Sequence, residues 1–232
     1  MIVMTDTSET MGTLSPASHK ISIPKYTLAE ELISSISHGA GALLAVAGLI
    51  LCVVRGVSHG STTAVISGIV FGFTLIVLYT MSCLYHALRV NKAKRVLRVI
   101  DHCSVFLLIA GTYTPYTLVT LAGPTGWLLF GVIWGAAAIG ITLNAISLER
   151  FSKISVVCYL AMGWAIIFAI KPLAAALAVP GIVLLVAGGV AYSLGVILYA
   201  LGSKKRYMHS IWHFFVLAGS ILHFLSIYLY VL

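Results

Sequence analysis

The last apolar stretch of this sequence carries histidines at a spacing that suits metal binding. His209 and His213 lie four residues apart in the run HSIWHFFVLAGSILHF, which is otherwise mostly apolar. On an α-helix this spacing places two side chains about 40° apart around the axis and about 6 Å apart along it, so both imidazoles face one space. His223 follows His209 by fourteen residues, which places it near the same stripe but about 21 Å deeper. The pair can share one metal ion, and His223 cannot join them.

The elements that must position these histidines are membrane-spanning helices. Of the 232 residues, 60% are hydrophobic and 9% are charged, and the mean hydropathy is +1.07, outside the usual range of soluble domains. Stretches long enough to cross about 30 Å of hydrocarbon predict seven helices, at roughly 32–54, 63–88, 99–121, 126–147, 154–171, 178–202 and 209–231. The connections are too short for a second domain. We therefore expect an all-α membrane protein with one seven-helix bundle over residues 28–232.

Residues 1–27 are polar and rich in Ser and Thr. They lack the apolar central run of a cleaved signal peptide, so the sequence predicts a polar cytoplasmic tail that stays attached. The first helix must then direct insertion.

The net charge of +8 follows the membrane topology and does not indicate nucleic-acid binding. Twelve of the fourteen basic residues fall on one side of the predicted spans: Lys20, Lys25, Arg89, Lys92, Lys94, Arg95, Arg98, Arg150, Lys153, Lys204, Lys205 and Arg206. The other side carries only Arg55 and Lys171. By the positive-inside rule this bias predicts a cytoplasmic N-terminus, an outward C-terminus and a multi-pass protein of the cytoplasmic (plasma) membrane.

Polar side chains in four of the seven segments cluster at the predicted cytoplasmic end. Ionisable groups in spanning segments cost several kcal/mol unless they are paired or hydrated, so each is a candidate functional residue. Besides the histidine pair, the cluster comprises Glu31, Ser34 and His38 on one face of segment 1, Ser82 and His86 at the end of segment 2, and Asp101 at the start of segment 3. The histidine pair favours zinc, which prefers imidazole. A single helix-end His or Asp can also be merely interfacial or a helix-dipole partner.

The remaining candidates are weaker. The four cysteines lie on four different segments without paired spacing, so we expect free thiols that serve as small packing residues. His19 and His59 fall in the tail and in a loop. His102 points about 100° away from Asp101 around the helix, as a neighbour of the site and not as a ligand.

The polar runs together resemble the hemolysin III family, the bacterial branch of the progestin and adipoQ receptor group, which includes the adiponectin receptors. The resemblance extends from about Glu30 to the C-terminus and rests on three short motifs in a fixed order. Glu31, Ser34 and His38 match Glu-x2-Asn-x3-His, with Ser in place of Asn. The second motif is Ser-x3-His followed by a later Asp, and it is matched by Ser82 and His86 in SCLYH and by Asp101 in DHCSVFLLIAGTYTP. The third motif is His-x3-His, and it is matched by His209 and His213. His223 also has a counterpart in the receptors.

The resemblance implies one Zn²⁺ near the cytoplasmic face, held by His86, His209 and His213, with Asp101 reaching it through a water. Three His ligands leave a fourth position open, as in catalytic zinc sites. The related alkaline ceramidases hydrolyse lipid amides. By this analogy Asp101 serves as general base and Ser82 as an oxyanion donor in the hydrolysis of a membrane-lipid amide or ester, or the protein is a regulator of lipid homeostasis derived from such an enzyme.

Two other functions remain open. One is a receptor-like sensor in which a structural zinc joins helices 2 and 7. The other is a pore or proton-coupled transporter that uses His38, Asp101 and His223 as a relay. For a lipid ligand, we expect an apolar pocket lined by helices 5 to 7, where Gly188, Gly189 and Gly195 allow close packing or a cavity, with the polar cluster at its cytoplasmic end.

Overall fold

The computed structural model describes residues 23–202 and 205–232. All regular elements within these ranges are helices, and seven of them are long and apolar enough to cross a membrane. They are α1 Leu28–Ser58, α2 Thr62–Ala87, α3 Lys92–Thr120, α4 Gly123–Ile146, α5 Leu148–Ala176, α6 Val179–Gly202 and α7 Met208–Tyr230. The predicted seven-helix fold is confirmed, whereas the orientation in the membrane stays a prediction. Most of the predicted tail lies outside the described residues.

Several helices begin earlier than hydropathy predicts, because side chains cap them beyond the apolar core. Thr27 caps α1 in a capping box: its backbone N–H donates to Glu30 Oε2 at 2.8 Å, and the Glu30 N–H donates to Thr27 Oγ1 at 3.3 Å. Asn91 accepts the Lys94 N–H at 2.8 Å and starts α3 seven residues before the predicted position. Such caps satisfy backbone donors at helix starts, so charged turns there stay helical.

Two helices change their winding beside the same internal space. The last turn of α3, Tyr116–Thr120, is a π-helix, and α5 breaks after Gly163 into a 3₁₀ segment, Ala165–Ala169. Tyr113 satisfies the backbone groups at this break, because its hydroxyl donates to the Gly163 carbonyl at 3.0 Å and accepts the Ile166 N–H at 2.8 Å. Irregular backbone at membrane depth is tolerated where protein groups satisfy it in this way.

The helices pack mainly against their chain neighbours, and α7 closes the bundle against α1 and α6. Glycines allow the closest approaches: a Cβ on Gly72 would lie 2.8 Å from the Leu49 backbone, and one on Gly41 would lie 2.7 Å from the Tyr79 ring. Small residues at such crossings are typical of membrane helix bundles. By contrast, α5 makes few contacts with α3 and α6. A cavity lies in this loosely packed part of the bundle.

Candidate metal centre

Three histidines from two helices converge at the end of the bundle where α1 and α7 begin. His86 comes from the last turn of α2, and His209 and His213 come from the first two turns of α7. The Nε2 atoms of His86 and His209 are 3.3 Å apart, and those of His209 and His213 are 3.2 Å apart. Within the described residues these three side chains form a group whose ligand atoms all lie within 4.8 Å of one another. Their buried nitrogens could hold a metal ion.

The start of α7 is fixed to the start of α1 by one buried carboxylate. Glu30 Oε1 accepts the backbone N–H of Tyr207 at 2.7 Å. Tyr207 immediately precedes α7 and has a left-handed backbone, with φ of 63°, which a residue with a side chain adopts only at a cost. Ser210 adds a second link, because its hydroxyl donates to the Glu30 carbonyl at 3.1 Å. These contacts fix the position of His209 at the site.

A carboxylate orients His86. The Nδ1 atom of His86 lies 2.6 Å from Glu31 Oε2, and the other carboxylate oxygen of Glu31 accepts from Lys94 Nζ, also at 2.6 Å. Because Nδ1 donates to the carboxylate, Nε2 carries the free lone pair and points at the other two histidines. Carboxylate partners of this kind orient metal-binding histidines and raise their basicity.

Lys94 is a member of this network that sequence reasoning missed. Its side chain is only 2% exposed, and its ammonium group also donates to the Leu88 carbonyl at 2.9 Å and lies 5.0 Å from the centroid of the Tyr85 ring. The sequence analysis counted it only as a topology charge. The sequence does contain a signal for this residue: Lys94 precedes Asp101 by seven residues, so both lie on the same face of the helix.

Tyr26 is the second missed residue. Its ring stacks on His209 with the centroids 4.6 Å apart and lies 5.9 Å from the His86 ring. Burial raises the pKa of the Tyr26 hydroxyl above its usual range, so the phenol stays neutral. The chain just before α1, which the sequence assigned to a polar tail, thus covers two of the histidines.

Asp101 and Ser82 lie beside the histidines and not among the grouped ligands. Asp101 is 7% exposed, lines the cavity, and has one carboxylate oxygen 3.9 Å from His102 Nδ1. The Ser82 hydroxyl is buried near this carboxyl group. Asp101 stands outside the histidine group, and the roles expected of Asp101 and Ser82 stay predictions.

The remaining residues of the first motif make different contacts. Ser34 Oγ lies 3.2 Å from Ser210 Oγ, so Ser34 joins α1 to α7. His38 is 1% exposed, its ring centroid is 3.9 Å from that of His213, and it lines the cavity. His102 also lines the cavity, with Nδ1 2.8 Å from the Arg98 carbonyl, as a neighbour of the site.

The cavity starts beside this polar group and extends along α7 into the bundle. It has a volume of about 140 Å³ and is lined by α3, α5, α6 and α7, with single residues from α1 and α2. Asp101 and His38 lie toward the metal end, and His223 lies deeper. The pocket predicted from helices 5 to 7 is present, and α3 forms one of its walls as well.

All four cysteines are free, as the absence of paired spacing predicted. No solved structure matches the chain.

Sequence relatives are found along most of the chain. It is 43% identical over 203 residues to Hemolysin-3 from Bacillus cereus, covering 88% of this chain and 92% of the relative. It is 39% identical over 205 residues to the Hemolysin-3 homolog of Bacillus subtilis (strain 168), covering 88% and 96%. A more distant relative is the human Monocyte to macrophage differentiation factor, 26% identical over 168 residues, with 69% and 68% covered. The family model described as Haemolysin-III related matches residues 26–224, and the chain therefore belongs to the haemolysin III family.

Proposed function

We propose that this protein is a zinc-dependent hydrolase of the plasma membrane that cleaves an amide or ester bond of a membrane lipid. The observation that carries the proposal is the convergence of three histidine Nε2 atoms next to His38 and Asp101, which line one end of an apolar cavity between the helices. A lipid can place its chain in such a cavity and its polar linkage at the histidines. The same arrangement supports the related view of a lipid-homeostasis regulator derived from such an enzyme.

The donor set suits zinc. Three imidazoles with converging nitrogens, one of them held by the Glu31 carboxylate, match the His₃ sites that leave a fourth position for water or substrate. The cluster contains neither a thiolate nor a carboxylate among its grouped ligand atoms. When bound there, zinc would act as a Lewis acid that makes water a better nucleophile near neutral pH.

The protein residues supply positioning and proton transfer. Asp101 is the general base in this proposal, because it is the buried carboxylate that faces the cavity beside the histidines. Ser82 has a buried hydroxyl beside Asp101 that can donate to the oxygen on which negative charge develops. The low polarity of the cavity excludes bulk water and strengthens both interactions. The sparse contacts between α5 and α6 offer a route for the lipid from the bilayer.

A receptor-like sensor is the second candidate, and one observation favours it. The ligands come from α2 and α7, while the carboxylate that orients His86 comes from α1. A metal at this point would join the ends of three helices, and a lipid in the cavity could then change how they pack. In that case the metal stabilises the bundle without turning over substrate.

Metal analysis and turnover together test these proposals. Zinc in the purified protein should approach one ion per chain and drop sharply in the three single variants His86→Ala, His209→Ala and His213→Ala. His59→Ala, in an exposed loop, is the matched control and should keep its zinc. Wild-type zinc content in two of the three variants would refute the assignment of the ligands.

Hydrolysis of a panel of lipid amides and esters in mixed micelles then separates the two functions. If the protein is a hydrolase, we expect zinc-dependent release of fatty acid, and Asp101→Asn should abolish that release. Bound zinc without turnover of any panel member would favour the sensor.

A further inference from the structure

His223 is a buried polar side chain with an unused acceptor deep in the cavity. The residue is 6% exposed and lines the cavity wall formed by α7. Its Nε2 atom lies 3.1 Å from the Leu185 carbonyl oxygen. A carbonyl only accepts hydrogen bonds, so Nε2 carries the proton in a neutral ring, and Nδ1 keeps a lone pair. Nδ1 has no hydrogen-bond partner in the part of the chain that the structure describes.

The ring is held in this orientation by its neighbours. A Cβ on Gly188 would lie 2.7 Å from the His223 ring, so the glycine lets the Nε2 edge approach α6 closely. On another side the Tyr192 ring lies 5.2 Å away, centroid to centroid. Because packing and the Leu185 hydrogen bond fix one edge of the imidazole, Nδ1 cannot turn to seek another partner.

Two hydroxyl groups of the cavity wall have partners within the protein, whereas the His38 nitrogens at the metal end have none among the described residues. The Thr112 hydroxyl donates to the Leu108 carbonyl at 2.8 Å, and the Ser193 hydroxyl donates to the Gly189 carbonyl at 2.8 Å. Buried polar atoms are usually satisfied, and one that is left unpaired costs free energy. The His223 acceptor is therefore suited to a ligand that brings a hydrogen-bond donor to this depth.

The depth of His223 restricts where that donor lies on the ligand. His223 follows His213 by ten residues of α7, which corresponds to about 15 Å along the helix axis. An extended chain advances about 1.2 Å per bond, so the separation corresponds to about 12 bonds.

We infer that the cavity binds an aliphatic chain that carries a hydroxyl group about 12 bonds from its polar head, with the hydroxyl donating to His223 Nδ1. The head lies at the three histidines, and this part of the inference rests on the proposed function. The hydroxylated chain can belong to a free fatty acid or to the acyl group of a lipid amide, and both present the same donor.

Competition binding tests the inference on the full-length protein in detergent micelles. A bound fluorescent fatty acid is displaced by octadecanoate, by 12-hydroxyoctadecanoate or by 12-oxooctadecanoate. The hydroxy and oxo compounds are also tested as ethanolamides, which distinguishes a free acid from a lipid amide as the ligand. One added hydrogen bond should make the hydroxy compound bind about twofold to tenfold more tightly than octadecanoate. The oxo compound cannot donate and should show no such gain.

Two variants locate the effect. His223→Phe keeps a ring of similar shape, removes the acceptor and should abolish the preference for the hydroxy compound. Thr112→Val is the matched control, since it changes a cavity hydroxyl that is already partnered, and it should keep the preference. The comparison of hydroxy and oxo ligands uses the wild-type protein, so it holds even if His223→Phe folds poorly.

Equal affinity for hydroxy and oxo ligands would overturn the inference, as would a preference that persists in His223→Phe. The readout is binding and not turnover, so it is separate from the proposed hydrolysis. If the hydroxyl preference is found but no lipid amide or ester is cleaved, the proposed function fails and the inference stands. If lipids are cleaved but hydroxy and oxo ligands bind equally well, the proposed function stands and the inference fails.

Discussion

Glu31→Gln is expected to weaken metal binding without removing a ligand. In the structure one oxygen of the Glu31 carboxylate lies 2.6 Å from His86 Nδ1 and the other lies 2.6 Å from Lys94 Nζ. The amide keeps the shape of the side chain but loses the negative charge and can present an N–H to His86. The imidazole then loses the partner that fixes its tautomer and raises its basicity.

The size of the effect follows from the type of contact. Removing a carboxylate behind a metal-binding histidine typically lowers metal affinity about 10- to 100-fold, which corresponds to about 1.4 to 2.8 kcal/mol. The Lys94 side chain is only 2% exposed, and its ammonium group loses its counter-charge. Breaking a buried ion pair costs about 3 to 5 kcal/mol, so the single variant is also expected to be less stable.

A second pair of variants separates metal affinity from stability. Lys94→Met leaves the Glu31 carboxylate on His86, so zinc affinity should stay within about threefold of the wild type, which corresponds to about 0.7 kcal/mol. The double variant Glu31→Gln with Lys94→Met has no unpaired buried charge at this position and should recover stability while its zinc affinity stays low. Glu149→Gln is the control, because Glu149 pairs with Arg98 at 3.1 Å and is not part of the histidine network.

Zinc affinity is measured by competition with a chelating dye, and stability by unfolding in mixed micelles of increasing denaturing-detergent content. Zinc affinity in Glu31→Gln that equals that of the wild type would refute the view that Glu31 orients His86. A double variant that recovers both stability and zinc affinity would refute it as well, because the loss of zinc affinity in Glu31→Gln would then come from misfolding.

Three further outcomes are expected. Asp101→Asn should keep most of its zinc and lose any hydrolysis, because a water-positioning carboxylate holds the ion less than a ligand does; metal analysis beside a turnover assay checks this, and full activity would contradict it. Tyr113→Phe removes the hydroxyl that satisfies both backbone groups at the break in α5 and should destabilise the bundle by about 1 to 3 kcal/mol, whereas Tyr230→Phe at the exposed end of α7 should change little. A reporter fused at Leu232 should be active only in its outward-facing form, as the distribution of basic residues predicts; activity of the cytoplasmic form alone would reverse the orientation.

The fold was predictable because hydropathy in a membrane protein reports directly on spanning helices. Seven segments were predicted, and the described residues contain seven helices long and apolar enough to span a membrane. The ends of these helices were not predictable, because capping hydrogen bonds such as those of Thr27 and Asn91 extend the helices into charged turns. The break after Gly163 in α5 also escaped prediction, since it depends on the Tyr113 hydroxyl from a distant helix.

The histidine group was predictable from spacing and from family resemblance, and its surroundings were not. The i, i+4 pair places His209 and His213 together by helix geometry alone. The link from Glu31 to both His86 and Lys94 spans 55 and 63 residues of chain, and no local pattern specifies such contacts. The stacking of Tyr26 on His209 likewise depends on how the chain folds back before α1.

X-ray absorption spectroscopy at the zinc edge of the purified protein tests the central claim most directly. The account predicts one zinc per chain with only nitrogen and oxygen neighbours at about 2.0 to 2.1 Å and the scattering pattern of three imidazoles. Absence of bound zinc, or a sulfur neighbour at about 2.3 Å from a thiol such as Cys83, would contradict it.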